Sequence, residues 1–242
     1  MIYGLFIGAD YEGETCQLPD CAQDAQSMCE TLEPFITAGR ELLNGKATRR
    51  NMLATLAKLK QQMRADDVAI VSWSGHGTTD TIDGKPQQGI VCNDMEIIYE
   101  FELRQLLADI GQAVLIADSC FSGGLVRGIR PKHRWIPISH CFHRRSVVVP
   151  TKRIAKPHAT YLACKSDEVA ASTGKGGAFT LALLEAFGKS EGRTTFAGLA
   201  KAVKKLLPTK EYPQHPQFAC RDTRFANWTL NSFTRKQKWR IA

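Results

Sequence analysis

The sequence predicts an α/β domain with a mainly parallel central sheet covered by helices on both faces. Three observations lead there. Residues 2–9, 68–74, 113–118 and 160–164 are short, nearly unbroken apolar runs, as expected of strands buried on both faces. The stretches between them repeat apolar residues at helical spacing, so strands and helices alternate. Hydrophobic residues make up 43% of the 242, enough for a sizeable core and too many for a disordered chain.

The elements follow in order. Residues 2–9 form a first core strand, and 10–19 are rich in turn formers. Ala22, Ala25, Met28, Cys29, Leu32 and Phe35 mark a first helix. A second helix covers 48–63, with Met52, Leu53, Leu56, Leu59 and Met63 on one stripe and Thr48 as N-cap. Residues 68–74 form the second core strand, ending at Gly75. The polar stretch 78–88, with Gly and Pro, reads as a loop, and Ile90-Val91 as a short strand. Residues 102–110 are helical, and 113–118 are the third core strand, stopped by Ser122-Gly123-Gly124. After a segment of little periodicity, 160–164 form the fourth strand. Two amphipathic helices (179–188 and 196–207), a loop (208–216) and a last strand within 218–230 complete a single domain over 1–242.

No apolar run reaches the roughly 18–20 residues of a membrane helix. The N-terminal apolar stretch is too short, and lacks the basic flank, for a secretion signal, so a cytoplasmic protein with no membrane partner is expected. Cys16, Cys21, Cys29, Cys92, Cys120, Cys141, Cys164 and Cys220 show neither a CxxC pair nor zinc-site spacing, and reduced thiols are the reading. The net charge of +8 is concentrated. Residues 127–158 hold six Arg, three Lys and no acid, a charge of +9, so the rest of the chain sums to −1. The tail at 233–242 adds Arg235, Lys236, Lys238 and Arg240.

Two motifs follow core strands directly: Ser74-Gly75-His76-Gly77 and Asp118-Ser119-Cys120-Phe121-Ser122-Gly123-Gly124. In open α/β sheets, ligands bind beyond the carboxyl ends of the strands, which is where both motifs fall. A nucleophilic cysteine needs a base, access to solvent and donors for an oxyanion. Cys120 at a strand end can project its sulfur from the sheet edge, and His76 can serve as base. The glycines allow close substrate approach, and the Gly77 and Cys120 amides are the candidate oxyanion donors. A lone Cys after a strand is usually a packed core thiol. The pair is harder to explain that way, each residue ending an apolar strand, His first and 44 residues apart.

These two motifs resemble those of the caspase and metacaspase cysteine peptidases. Further segments agree. Leu18-Pro19-Asp20-Cys21-Ala22-Gln23-Asp24-Ala25 is similar to the metacaspase Leu-x-Gly-Cys-x-x-Asp-Ala segment, and Thr48-Arg49-Arg50-Asn51-Met52 to its Thr-Arg-x-Asn-Ile segment. Tyr161-Leu162-Ala163-Cys164 and Gly177-Ala178-Phe179-Thr180 resemble the later strand and helix start. The resemblance spans roughly residues 1–190. It implies a caspase-like α/β/α sandwich and cleavage after Arg or Lys, where caspases cleave after Asp. It also implies a substrate pocket of Cys21, Asp24, Ser74 and Asp118. Paired carboxylates suit a guanidinium on physical grounds as well. Without such a partner, Asp24 would read as a first-turn helix acid and Asp118 as a strand-end cap.

The chain departs from the metacaspase pattern in two places. Phe121 follows the cysteine where many metacaspases have His. The stretch after His76 offers only Asp80, Asp83, Asn93 and Asp94 for calcium, which takes six to eight oxygens, so no cofactor or metal is expected. The 127–158 segment invites three readings: a solvated loop, a nucleic-acid contact, or a regulatory loop cut by the enzyme itself or by an activating protease. The third is preferred, because Arg127, Arg130, Arg134, Arg144, Arg145 and Arg153 are substrates for such a specificity. The rival functions are a caspase-fold interaction module without proteolysis and a peptidase of different P1 preference.

Overall fold

The computed structural model describes residues 1–110, 112–120, 136–141, 159–165, 168–220 and 223–231. Six strands form the main sheet: β1 (Ile2–Gly8), β2 (Ala38–Leu43), β3 (Val68–Ser74), β7 (Gln112–Asp118), β8 (Ala159–Leu162) and β9 (Gln217–Cys220). They lie in the order β2-β1-β3-β7-β8-β9, all parallel except the edge strand β9. Three further strands, β4 (Gly77–Ile82), β5 (Lys85–Val91) and β6 (Ile97–Tyr99), form a small antiparallel sheet.

Period-two alternation divides the core into two layers. Ile2, Phe6, Val68, Ile70, Val114 and Ile116 face α1 (Cys21–Leu32), α4 (Ala178–Ser190) and α5 (Phe196–Leu206). Leu5, Ile7, Ala69, Val71, Trp73, Ala113 and Leu115 face α2 (Arg49–Gln62) and α3 (Glu100–Ile110). A short helix α6 (Thr223–Ala226) follows β9. The expected α/β/α sandwich is therefore present. Among the described residues, no helix is long and apolar enough to cross a membrane.

The four core strands and the main helices fall within a few residues of their expected positions. Thr48 caps α2, its side chain accepting from the Asn51 amide at 3.2 Å. The expected loop over 78–88 is a correction: β4 and β5 form a hairpin there. Its turn is Asp83-Gly84, with φ of 50° and 72°, the two positive values that an Asp-Gly hairpin turn requires. β2 was missed because it is a largely exposed edge strand with little apolar signal. Most of the basic 127–158 segment and the tail at 233–242 lie outside the described residues. Of the segment, 136–141 is described, and Ile136 there is buried, its amide donating to the Gly77 carbonyl at 3.2 Å.

At Gly8 the sheet meets α1 so closely that a Cβ would lie 2.1 Å from the Cys21 carbonyl oxygen. Both sides of that contact are backbone, so neither can yield. Gly8→Ala is expected to cost about 3 kcal/mol or more, against about 1 kcal/mol for loss of the cap in Thr48→Ala. Urea denaturation of both variants checks the ranking.

Candidate active site

β3 and β7 are neighbours in parallel register, and their last residues, Ser74 and Asp118, are direct partners. Both continue the parity of Ile70 and Ile116, which directs them to the face covered by α1 and α4. On that face Ser74 Oγ donates to Asp24 Oδ2 of α1 at 2.7 Å. Asp24 also accepts from the Gly177 amide, at 3.0 and 3.1 Å to its two oxygens. Asp118 Oδ2 accepts from the Thr180 amide at 3.0 Å and the Thr180 hydroxyl at 2.7 Å. Gly177 and Thr180 bracket the first turn of α4, whose amides lack helical partners and favour a negative neighbour.

Asp24, Ser74 and Asp118 thus converge on one helix terminus, and the two carboxylates are only 3% and 1% exposed. Cys21 goes elsewhere: its side chain belongs to the opposite layer, and its amide donates to Asp10 Oδ1 at 2.7 Å. A third buried carboxylate joins the group. Asp20 accepts from the Ser172 hydroxyl, and from the Gly176 amide at 3.1 Å. It stands at the Gly position of the Leu-x-Gly-Cys segment, a substitution that could have flagged it.

His76 and Cys120 each lie two residues beyond the Ser74–Asp118 rung. His76 Nε2 faces the Cys16 carbonyl at 2.6 Å. A carbonyl only accepts, so Nε2 carries the hydrogen and the basic lone pair of the neutral ring is on Nδ1. The His76 ring also packs on Tyr11, with centroids 4.7 Å apart. Neither Cys16 nor Tyr11 was identified from the sequence, because both lie in the turn-rich 10–19 stretch, where no periodicity places a side chain.

Cys120 corrects the expectation of a sulfur projecting from the sheet edge. It is fully buried on the α1–α4 face, and its Sγ accepts from the Ala170 amide at 2.9 Å. The parity of Val114 and Ile116 carries on to this residue and turns it inward. Cys164, one strand over, shares the site. Hydrogen bonding with the Cys120 sulfur, then burial, pushes its thiol far up, so it stays protonated beside Cys120.

The two glycines flanking His76 also answer to packing. A Cβ at Gly77 would lie 1.8 Å from the Cys120 carbonyl oxygen, and one at Gly75 would lie 2.6 Å from the Trp73 ring and 2.9 Å from the Tyr11 hydroxyl. Close packing of the two motifs on each other and on the core demands them.

The caspase domain model of the C14 peptidases matches residues 3–226. The chain belongs to the caspase-domain family. Metacaspase-4 of Arabidopsis thaliana is 29% identical over 140 residues, covering 50% of this chain and 34% of its own length. Inactive metacaspase-4 of Trypanosoma brucei brucei is 36% identical over 88 residues, covering 32% of this chain and 25% of its own. The chain spans about a third of the length of the Arabidopsis relative. Among solved structures, a Geobacter sulfurreducens protein superposes with a TM-score of 0.74 at 20% identity, covering 94% of this chain and 97% of that one. Caspase-1 of Spodoptera frugiperda does so at 0.60 and 12%, covering 91% and 85%. Both share the fold.

Within this caspase fold, three of the four residues considered for calcium are held by protein partners. Asp80 Oδ2 accepts from the Tyr99 hydroxyl at 2.8 Å, Asp94 from the Arg49 amide at 3.2 Å, and Asn93 Oδ1 from the Tyr11 amide at 3.2 Å. Among the described residues, no group of three or more His, Cys, Asp or Glu is arranged to hold a metal ion. All eight cysteines are free thiols.

Thiol alkylation tests this description. Burial and nearby Glu41 push Cys29 up to about 11, and burial does the same for Cys141. A raised thiol has less thiolate at neutral pH, so their alkylation by iodoacetamide should climb about tenfold per pH unit and level off only near pH 11. Without substrate, Cys120 should react more slowly than the half-buried Cys16. Peptide mass mapping after timed labelling reads both outcomes.

Proposed function

We propose that this chain is a cysteine endopeptidase cleaving after Arg or Lys, with Cys120 as nucleophile and His76 as general base. The observation that carries the reading is the Ser74–Asp118 rung, which sets His76 and Cys120 at equivalent positions beyond the carboxyl ends of two adjacent strands. Membership of a peptidase family supports the same chemistry.

Cys120 gives up its proton to His76 Nδ1, and the thiolate attacks the carbonyl carbon after the P1 residue. The Gly77 and Cys120 amides hold the oxyanion. His76 then protonates the leaving amine, and water, deprotonated by His76, releases the acyl-enzyme. No metal enters this scheme. Cys120 Sγ, held by the Ala170 amide in the free enzyme, must be presented to the substrate carbonyl for attack. Asp24 and Asp118 supply the negative charge for the P1 guanidinium or ammonium. Their hydrogen bonds to α4 fix the carboxylates, and each carboxylate offers about four acceptor sites. Cys21, in the opposite layer, supports α1 behind that pocket. Cleavage within 127–158, by the enzyme itself or by an activating protease, is the proposed regulatory step. Protein substrates and free thiols fit a cytoplasmic setting.

A non-catalytic interaction module is the second reading, favoured by the inward position of the Cys120 sulfur and by the name of the trypanosome relative. Fluorogenic peptides ending in Arg, Lys and Asp separate the alternatives. Turnover of Arg and Lys peptides, abolished in Cys120→Ala, is the expected result. No turnover favours the module, and Asp-only turnover removes the acidic pocket. Asp24→Asn should lower kcat/KM on the Arg peptide by about 100-fold, from loss of a charge-assisted bond.

Incubation of the wild type beside Cys120→Ala tests the loop. New fragments ending at arginines of 127–158 are expected in the wild type only. Identical intact bands in both would exclude self-processing.

A further inference from the structure

Tyr11 is fully buried just beyond β1, with a backbone φ of 55°. A non-glycine residue in that region is strained and persists only where its surroundings hold it. Two bonds do so: the Tyr11 amide donates to Asn93 Oδ1 at 3.2 Å, and the Tyr11 carbonyl accepts from the Glu14 amide at 3.0 Å. The strain aims the side chain under the His76 turn.

There the Tyr11 hydroxyl accepts from the His76 amide at 2.9 Å and donates to the Val91 carbonyl. The Val91 amide in turn donates to the His76 carbonyl at 3.0 Å. Three hydrogen bonds thus close a ring through Tyr11, Val91 and His76, tying the histidine's backbone to β5. The Tyr11 ring meanwhile lies against the imidazole, tilted by 37°. Burial pushes the Tyr11 hydroxyl well above its usual value, so it remains a phenol able to donate and accept at once.

We propose that Tyr11 is the positioning residue for His76, its hydroxyl fixing the histidine's backbone and its ring holding the imidazole toward Cys120. This rests on the reading of His76 as general base. A base misplaced by about 1 Å loses on the order of 100-fold in rate, so a rigid mount for this turn acts on the chemical step more than on substrate binding. The aromatic face also favours the imidazolium that forms during proton transfer. The titratable groups around Tyr11 are the Cys16, Cys21 and Cys92 thiols, with Cys120 across Gly77.

Two substitutions separate the parts. Tyr11→Phe keeps the ring and removes the hydroxyl. It is expected to lower kcat on the Arg peptide by roughly 10- to 100-fold, with KM within about twofold. Tyr11→Leu removes both. NMR titration of the His76 ring, assigned with His76→Gln, should show its pKa falling by roughly half a unit in Tyr11→Leu and unchanged in Tyr11→Phe. Wild-type kcat in Tyr11→Phe, or an unchanged His76 titration in folded Tyr11→Leu, overturns the proposal. If the wild type cleaves no peptide, the proteolytic reading fails, and the titration still decides whether Tyr11 governs the imidazole.

Discussion

The molecule depends on the parallel pairing of β3 with β7. That pairing is buried on both faces, so its register is fixed by the core and not by the loops that leave it. A slip of one residue in either strand would bring Ala69 in place of Ile70, or Ala113 in place of Val114, into the α1–α4 layer. It would also turn Ser74 away from Asp24, or Asp118 away from Thr180. Hydrophobic alternation and the polar site are therefore one constraint: the residues that build the core set the direction in which the strand-end side chains point.

From that rung the polar groups spread to the N-terminus of α4. Three buried carboxylates, Asp20, Asp24 and Asp118, receive bonds from the segment running from Ser172 to Thr180. Burying an ionised carboxylate is costly unless it is hydrogen-bonded, and the free amides of a helix start supply those bonds without a counter-charge. The same carboxylates thus stabilise the helix and remain a negative focus at the sheet edge. Under the proposed specificity, a basic P1 side chain would meet acids already held in place.

The two halves of the proposed dyad are mounted differently. His76 is fixed by a backbone ring through Val91 and by the Cys16 carbonyl, while Cys120 lies in the apolar layer against Ala170. The Ala170 amide gives a single hydrogen bond to a soft, weakly polar atom.

The sequence by itself determined the sandwich, its four core strands, the cap at Thr48 and the family likeness, because each is written in local period or contiguous motif. It also determined that His76 and Cys120 follow directly on core strands. Of the β4–β5 hairpin it showed only the end, Ile90-Val91, because the rest is a polar run whose one turn cue is Asp83-Gly84. Tertiary structure alone decided that the His76 glycines answer to the Cys120 carbonyl, the Trp73 ring and the Tyr11 hydroxyl. It also decided that Asp20 joins Asp24 and Asp118, that the Cys21 side chain packs in the opposite layer, and that the Cys120 sulfur is buried. The physical reason for nearly all of these is shared: apart from the Trp73 ring, they are contacts between segments dozens of residues apart, set by sheet register and side-chain parity, and neither spacing nor composition along the chain encodes which distant atom fills the space beside a residue.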